Sequence, residues 1–249
     1  MKKIVEICCG SFYDVLQAAK GGATRVELNS ALFLGGLTPS PATVELSKTE
    51  TDISIISMLR PRAGGFCYLE EDFRVMVEDA KRLLEYGSDG LAFGCLTADG
   101  RIDLERTKLI VDLIKSQGKE AVVHRAFDCV PDAAEAVEAL LSIGVDRILT
   151  SGQGKDVMSG LDRLAALQAD YGERMEFLAG CGVRSSNVEE ILSRTGISQV
   201  HSSCKAWRTD PTTMAGEITY AFAPQPHLSD YDVVSADEVR RMVNLVEGR

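Results

Sequence analysis

The chain has 249 residues, 45% hydrophobic and 26% charged, with no long biased tract, so it reads as a globular protein with material for a large core and not as a disordered one. A net charge of -10 and a pI near 4.9 exclude the basic footprint that nucleic-acid backbones or anionic membranes require, leaving small ligands and proteins as partners. The 7 cysteines are odd in number, form no CxxC pair and include adjacent Cys8 and Cys9, a usage that suits a reducing cytoplasm better than a disulfide framework.

The opening MKKIVEICCG reaches Glu6 after two apolar residues, without the apolar stretch of a signal peptide, and no later run approaches a membrane span. Apolar or alternating runs that end in polar residues recur at about 3–9, 25–29, 53–60, 90–96, 120–128, 147–151, 175–181 and 199–204. Helical patterns separate them, from SFYDVLQAAKGG through EEDFRVMVEDAKRLLEYG to SADEVRRMVNLVEG, most opening near Ser, Asp or Asn and closing on Gly. Eight strand–helix alternations predict an α/β fold, a single (β/α)8 TIM barrel over residues 1–249. An open doubly wound sheet is the rival, and no GxGxxG follows the first strand to support its dinucleotide-binding form. Residues 205–234 form a long irregular connection after the eighth strand, rich in aromatics, either an ordered flap or a subunit contact.

Chemistry in such barrels sits at the C-terminal strand ends. Strand alternation turns Val5, Ile7 and Cys9 to the helices and Glu6 and Cys8 inward; likewise Arg25, Glu27 and Asn29 face in, and so does His201. In VVHRAFD, Val122, His124, Ala126 and Asp128 are expected to share a face. Glu6, Glu27, His124, Asp128 and His201 are therefore candidates for acid–base catalysis or for holding a divalent metal, with an internal ion-pair network as the alternative. Arg60, in LRPRAGGFCY, and Arg125 are candidate anion clamps. The GCGVR turn, with Gly180, Gly182 and Arg184, together with Ser202, offers backbone and side-chain donors where barrels often bind phosphate. All seven cysteines fall at or just beyond predicted strand ends; soft thiolates favour Cu(I) or zinc, and small buried hydrophobes are the competing explanation.

The motifs EICC, GATRVELN, GGLTPS, LRPRAGGFCY, HRAFD, LTSGQ, GCGVR and VHSS, in this order along nearly the whole chain, resemble the CutC copper homeostasis family. The resemblance implies a (β/α)8 barrel, a cytoplasmic location, homo-oligomers (dimer or tetramer) and a role in copper handling, with Cys8 as the metal ligand. Where the family often reads RVELC, this chain has Asn29, which removes one thiol. Two functions follow. One is a copper-homeostasis protein that captures Cu(I) through Cys8. The other is a barrel enzyme acting on a small anionic, phosphate- or carboxylate-bearing metabolite through its Glu, His and Arg residues, with or without another divalent metal. A catalytically silent barrel that assembles through 205–234 would not require charged residues facing inward.

Overall fold

The computed structural model describes residues 3–248. Eight parallel strands, β1 (Ile4–Cys9), β2 (Arg25–Leu28), β3 (Ser54–Met58), β4 (Gly90–Phe93), β5 (Glu120–Val123), β6 (Arg147–Thr150), β7 (Glu176–Ala179) and β8 (Gln199–Ser202), pair in sequential order, and β8 returns to β1 to close the barrel. Helices α1 (Phe12–Gly21), α2 (Pro41–Glu50), α3 (Glu70–Glu85), α4 (Leu104–Lys115), α5 (Ala133–Ser142), α6 (Leu161–Tyr171), α7 (Val188–Thr195) and α8 (Ala236–Glu247) follow the strands in turn. Ser11, Ser40, Asp103, Asp132 and Ser235 cap their helices by accepting a first-turn backbone N–H, as the sequence signals require.

Paired residues on neighbouring parallel strands point to the same side of the sheet. The register Glu6↔Arg25, Glu6↔His201, Glu27↔Ile56, Ala92↔Val122 and Val122↔Arg147 therefore defines one inward set. The alternate residues, among them Val5, Ile7, Val26, Leu28 and Ile55, pack under the helices in one continuous core. Each such side chain contributes about 1.5–3 kcal/mol on burial, which fixes the strand parity firmly. Inside the barrel Ile56, Ala92 and Val122 form a small apolar cluster of their own, while β1, β2, β6 and β8 supply charge.

Two expectations need correction. The fifth strand stops at Val123 instead of running to 128, because the His124 side chain accepts the Ala126 N–H and caps a 3-10 turn over Arg125–Cys129. Strict alternation therefore fails beyond His124: Ala126 and Phe127 are both buried in the outer core, and Asp128 does not share the His124 face. Residues 205–234 are also not irregular throughout. Strand β9 (Lys205–Thr209) pairs antiparallel with β12 (Asp230–Val234), and β10 (Met214–Ala215) with β11 (Ile218–Thr219) forms a hairpin between them. Among the described residues no helix is long and apolar enough to cross a membrane.

Candidate functional site

A chain of charged hydrogen bonds runs up the barrel interior. At the lower end Arg147, 3% exposed, donates from Nη2 to Glu120 and from Nε to Glu176, each at 2.9 Å. Gln199 donates to the same Glu176 oxygen at 2.9 Å and accepts from Arg25 Nη2 at 2.7 Å. Arg25 Nε then meets Glu6 Oε2 at 2.6 Å, and Glu6 Oε1 lies 2.9 Å from His201 Nδ1. Burial pushes the Glu6 carboxyl up, but the Arg25 charge and then the His201 hydrogen bond outweigh it and hold the group down at about 2. Glu6 is thus a fixed anion between two cationic partners. Arg147, Gln199, Glu120 and Glu176 were not among the sequence candidates, although the inward parity of Arg147 could have been found by carrying the strand register around the barrel.

At the upper end Cys8 Sγ, a Glu27 carboxylate oxygen and a His201 ring nitrogen all lie within 4.8 Å of one another. Because Glu6 engages His201 Nδ1, the Nε2 side is turned to Glu27, 3.9 Å away. Burial alone would lower the His201 value, but Glu27, then Cys8 and Glu6, raise it well above that of a free imidazole. Burial also raises Glu27 and Cys8, so without a metal the sulfur is a thiol. Asn29 donates Nδ2 to Glu27 at 3.0 Å and to Cys8 Sγ at 3.8 Å. This donor set fits a metal of soft or borderline character: one sulfur, one imidazole nitrogen oriented by a carboxylate behind it, and one carboxylate oxygen. Cys8 and His201 would hold Cu(I), and all three groups are acceptable to zinc.

His124 stands elsewhere on the mouth. Its Nδ1 accepts the Ala126 N–H at 3.1 Å, so the single proton of the neutral ring is on Nε2. Burial, reinforced by the Arg60 charge, pushes its value down to about 3, which makes it a fixed donor at neutral pH. The ring lies so close to Gly94 that a Cβ there would stand 3.0 Å from Nδ1 and Cε1 and 2.6 Å from the Ala126 Cβ. Arg60 does not extend its fork to solvent: Nη1 donates to the Leu34 and Gly36 carbonyls and Nη2 to Gly64. Arg125 and Asp128 bind each other at 2.7 Å, and Asp128 also accepts from Thr150, Ser151 and Gln153, clasping the end of β6.

Cys8, Glu27, His201, Arg60, His124, Arg125, Gly182, Arg184 and Ser202 all line one cavity of 1090 Å³ above the strand ends. Glu6 lies beneath it, and Asp128 and Gly180 are not on its wall. Ser202 donates its hydroxyl to the Val183 carbonyl, fastening the β7–α7 turn to β8. Cys181 and Cys204, both on the wall, have positive φ (72° and 39°), uncommon for cysteine and a sign of backbone held in place by its surroundings.

The CutC family model matches residues 3–206. A CutC family protein of Treponema denticola is 42% identical over 98% of this chain and 99% of its own length, and one from Caulobacter vibrioides is 40% identical over 91% of each. A solved structure from Streptococcus agalactiae, described as a proposed copper homeostasis protein CutC, superposes with a TM-score of 0.76 at 32% identity, covering 81% of this chain and 98% of its own. The family match from the first strand through the start of β9, together with 42% identity over nearly the full length, places the chain in the CutC family.

Proposed function

We propose that this protein takes part in copper handling and binds one Cu(I) ion through Cys8 Sγ and His201 Nε2, with Glu27 beside them. The observation that carries this reading is the triad within 4.8 Å whose histidine has its other nitrogen engaged by Glu6, the carboxylate–histidine arrangement that orients an imidazole for a metal. The copper role given to the Streptococcus agalactiae relative supports it. Bound at this site, copper would be held at the closed side of the cavity, with the floor network fixing His201 from below. A cytoplasmic location belongs to the same reading, supported by free cysteines that remain unpaired among the described residues. Homo-oligomers belong to it as well, supported by aromatics such as Tyr220 and Phe222 that stay exposed around the β10–β11 hairpin.

The test is anaerobic Cu(I) titration against a competing chelator on tag-free protein. One equivalent should bind, Cys8→Ser and His201→Gln should each weaken it more than about tenfold, and sulfur and nitrogen scattering should appear in X-ray absorption. Unchanged affinity in Cys8→Ser would sink the placement. Tighter binding of zinc, lost in Glu27→Gln, would assign the cluster to a harder ion.

A further inference from the structure

Away from the Cys8 cluster the cavity wall carries positive charge that no carboxylate among the described residues neutralises. Arg60 is 6% exposed, three of its donor contacts go to neutral backbone carbonyls, and its Nε is buried with no partner. A buried guanidinium without a counter-ion is costly unless something supplies one. His124, 4% exposed, has its Nε2 buried and unpartnered as well, and that atom carries the ring proton. The Tyr68 hydroxyl nearby also lacks a partner with hydrogen-bond geometry. Both Arg60 and His124 border the ring of Phe66: the His124 ring centroid is 4.9 Å from it and Arg60 Cζ is 5.3 Å from it. Phe66 itself lines the cavity, directly after Gly64 and Gly65.

The carboxylates on the cavity wall are already committed. Glu27 faces His201 and Asn29, Asp232 pairs with Lys205 at 2.8 Å, and Glu238 accepts from Ser185 at 2.6 Å. Arg184, exposed at the rim, makes no side-chain ion pair among the described residues. Of the cations on the lining, Arg60 in its depth and Arg184 at its rim are therefore the two with no carboxylate partner among the described residues, Arg125 and Lys205 being paired.

We infer that the cavity is built to receive a small oxyanion, a carboxylate or a phosphate group, whose oxygen takes the Nε–H of Arg60 and the Nε2–H of His124 after the Phe66 ring turns aside. The Phe66 ring, which borders both donors, is the cover: its side chain turns while Arg60 and the Leu96 N–H keep hold of the Gly64 and Phe66 carbonyls. Arg184 draws the anion in from the rim. The inference does not depend on copper, since neither donor belongs to the Cys8 cluster.

The experiment uses the metal-free full chain with 15N-labelled histidine. With only 3 histidines, the His124 signal is assigned by comparison with His124→Asn, whose Oδ1 keeps the cap on the Ala126 N–H while the Nε2 donor is lost. Inorganic phosphate and malonate are titrated separately at constant ionic strength, with chloride as the control. A saturable shift of the His124 Nε2–H is expected with at least one of them, and which one responds identifies the class. Calorimetry should then give affinity about tenfold weaker in His124→Asn and in Arg60→Lys, the loss of one donor to an anion. The inference is overturned if neither anion moves the signal, if chloride moves it equally, or if both variants bind as tightly as the parent.

Discussion

Replacing Glu6 by Gln keeps the shape of the side chain and removes one charge from the centre of the barrel. Arg25 and His201 then face each other's field across a neutral amide, with Arg25 6% exposed at its side chain and unable to move to water. Removing one partner of a buried pair costs about 3–5 kcal/mol. The titration behaviour gives a second route to the magnitude: a carboxyl lowered from 4.5 to about 2 corresponds to about 3 kcal/mol of preference for the charged form in the folded state. Because the folded value lies below the ordinary one, this stability is present in full above about pH 4.5 and is lost as pH falls toward 2. Urea unfolding at pH 7 should show a lower midpoint for Glu6→Gln, and a series from pH 5 to 3 should show the variant losing less stability than the parent. Adding Arg25→Met to Glu6→Gln should restore part of the loss, because an apolar side chain does not require a buried counter-charge. Equal midpoints for parent and Glu6→Gln would refute the claim that the pair is electrostatically coupled.

His124 titrates in the opposite sense to an activated histidine. Its folded value of about 3 lies below the ordinary 6.5, so its neutral form stabilises the fold fully above pH 6.5 and progressively less toward 3, by at most about 5 kcal/mol; His124→Asn should flatten that stretch of the stability–pH curve, and an unaltered curve would show that the ring is not the group responsible. Gly94→Ala should destabilise by about 1–3 kcal/mol through the contact with Ala126 and the His124 ring, read as a lowered Tm. Gly160→Ala should be worse, since its Cβ would meet the Ser151 carbonyl oxygen at 1.8 Å, a main-chain atom that cannot swing away; a Tm no lower than that of Gly94→Ala would contradict the packing.

The barrel was legible because period-two and helical patterns alternate eight times with caps at most boundaries. The inward parity of Glu6, Arg25, Glu27 and His201 followed from Val5, Ile7, Val26 and Leu28 having to meet the helices. What the pattern could not carry was the end of β5, since VVHRAFD keeps alternating after the backbone has turned, and the turn depends on a side-chain bond from His124. Nor could it separate structural from ligand-facing polar groups. Asp128 and Arg60 look alike in sequence, yet one is saturated by neighbours from β6 and the other retains an unpaired donor. The arm of β9 and β12 was missed because its strands pair across more than twenty residues, β9 is largely exposed and β12 mostly half-buried, leaving no apolar periodicity to read.

The Glu6–His201 contact joins residues 195 positions apart, across the seam where β8 returns to β1. Neither half of the barrel on its own contains both the histidine and the carboxylate that aims it, nor Cys8 and His201 together. A nascent or partly folded chain therefore presents isolated thiols and imidazoles without an assembled ligand set. If Cys8 and His201 bind Cu(I) as proposed, one-to-one uptake serves as a stopwatch for folding, appearing only when β8 docks against β1.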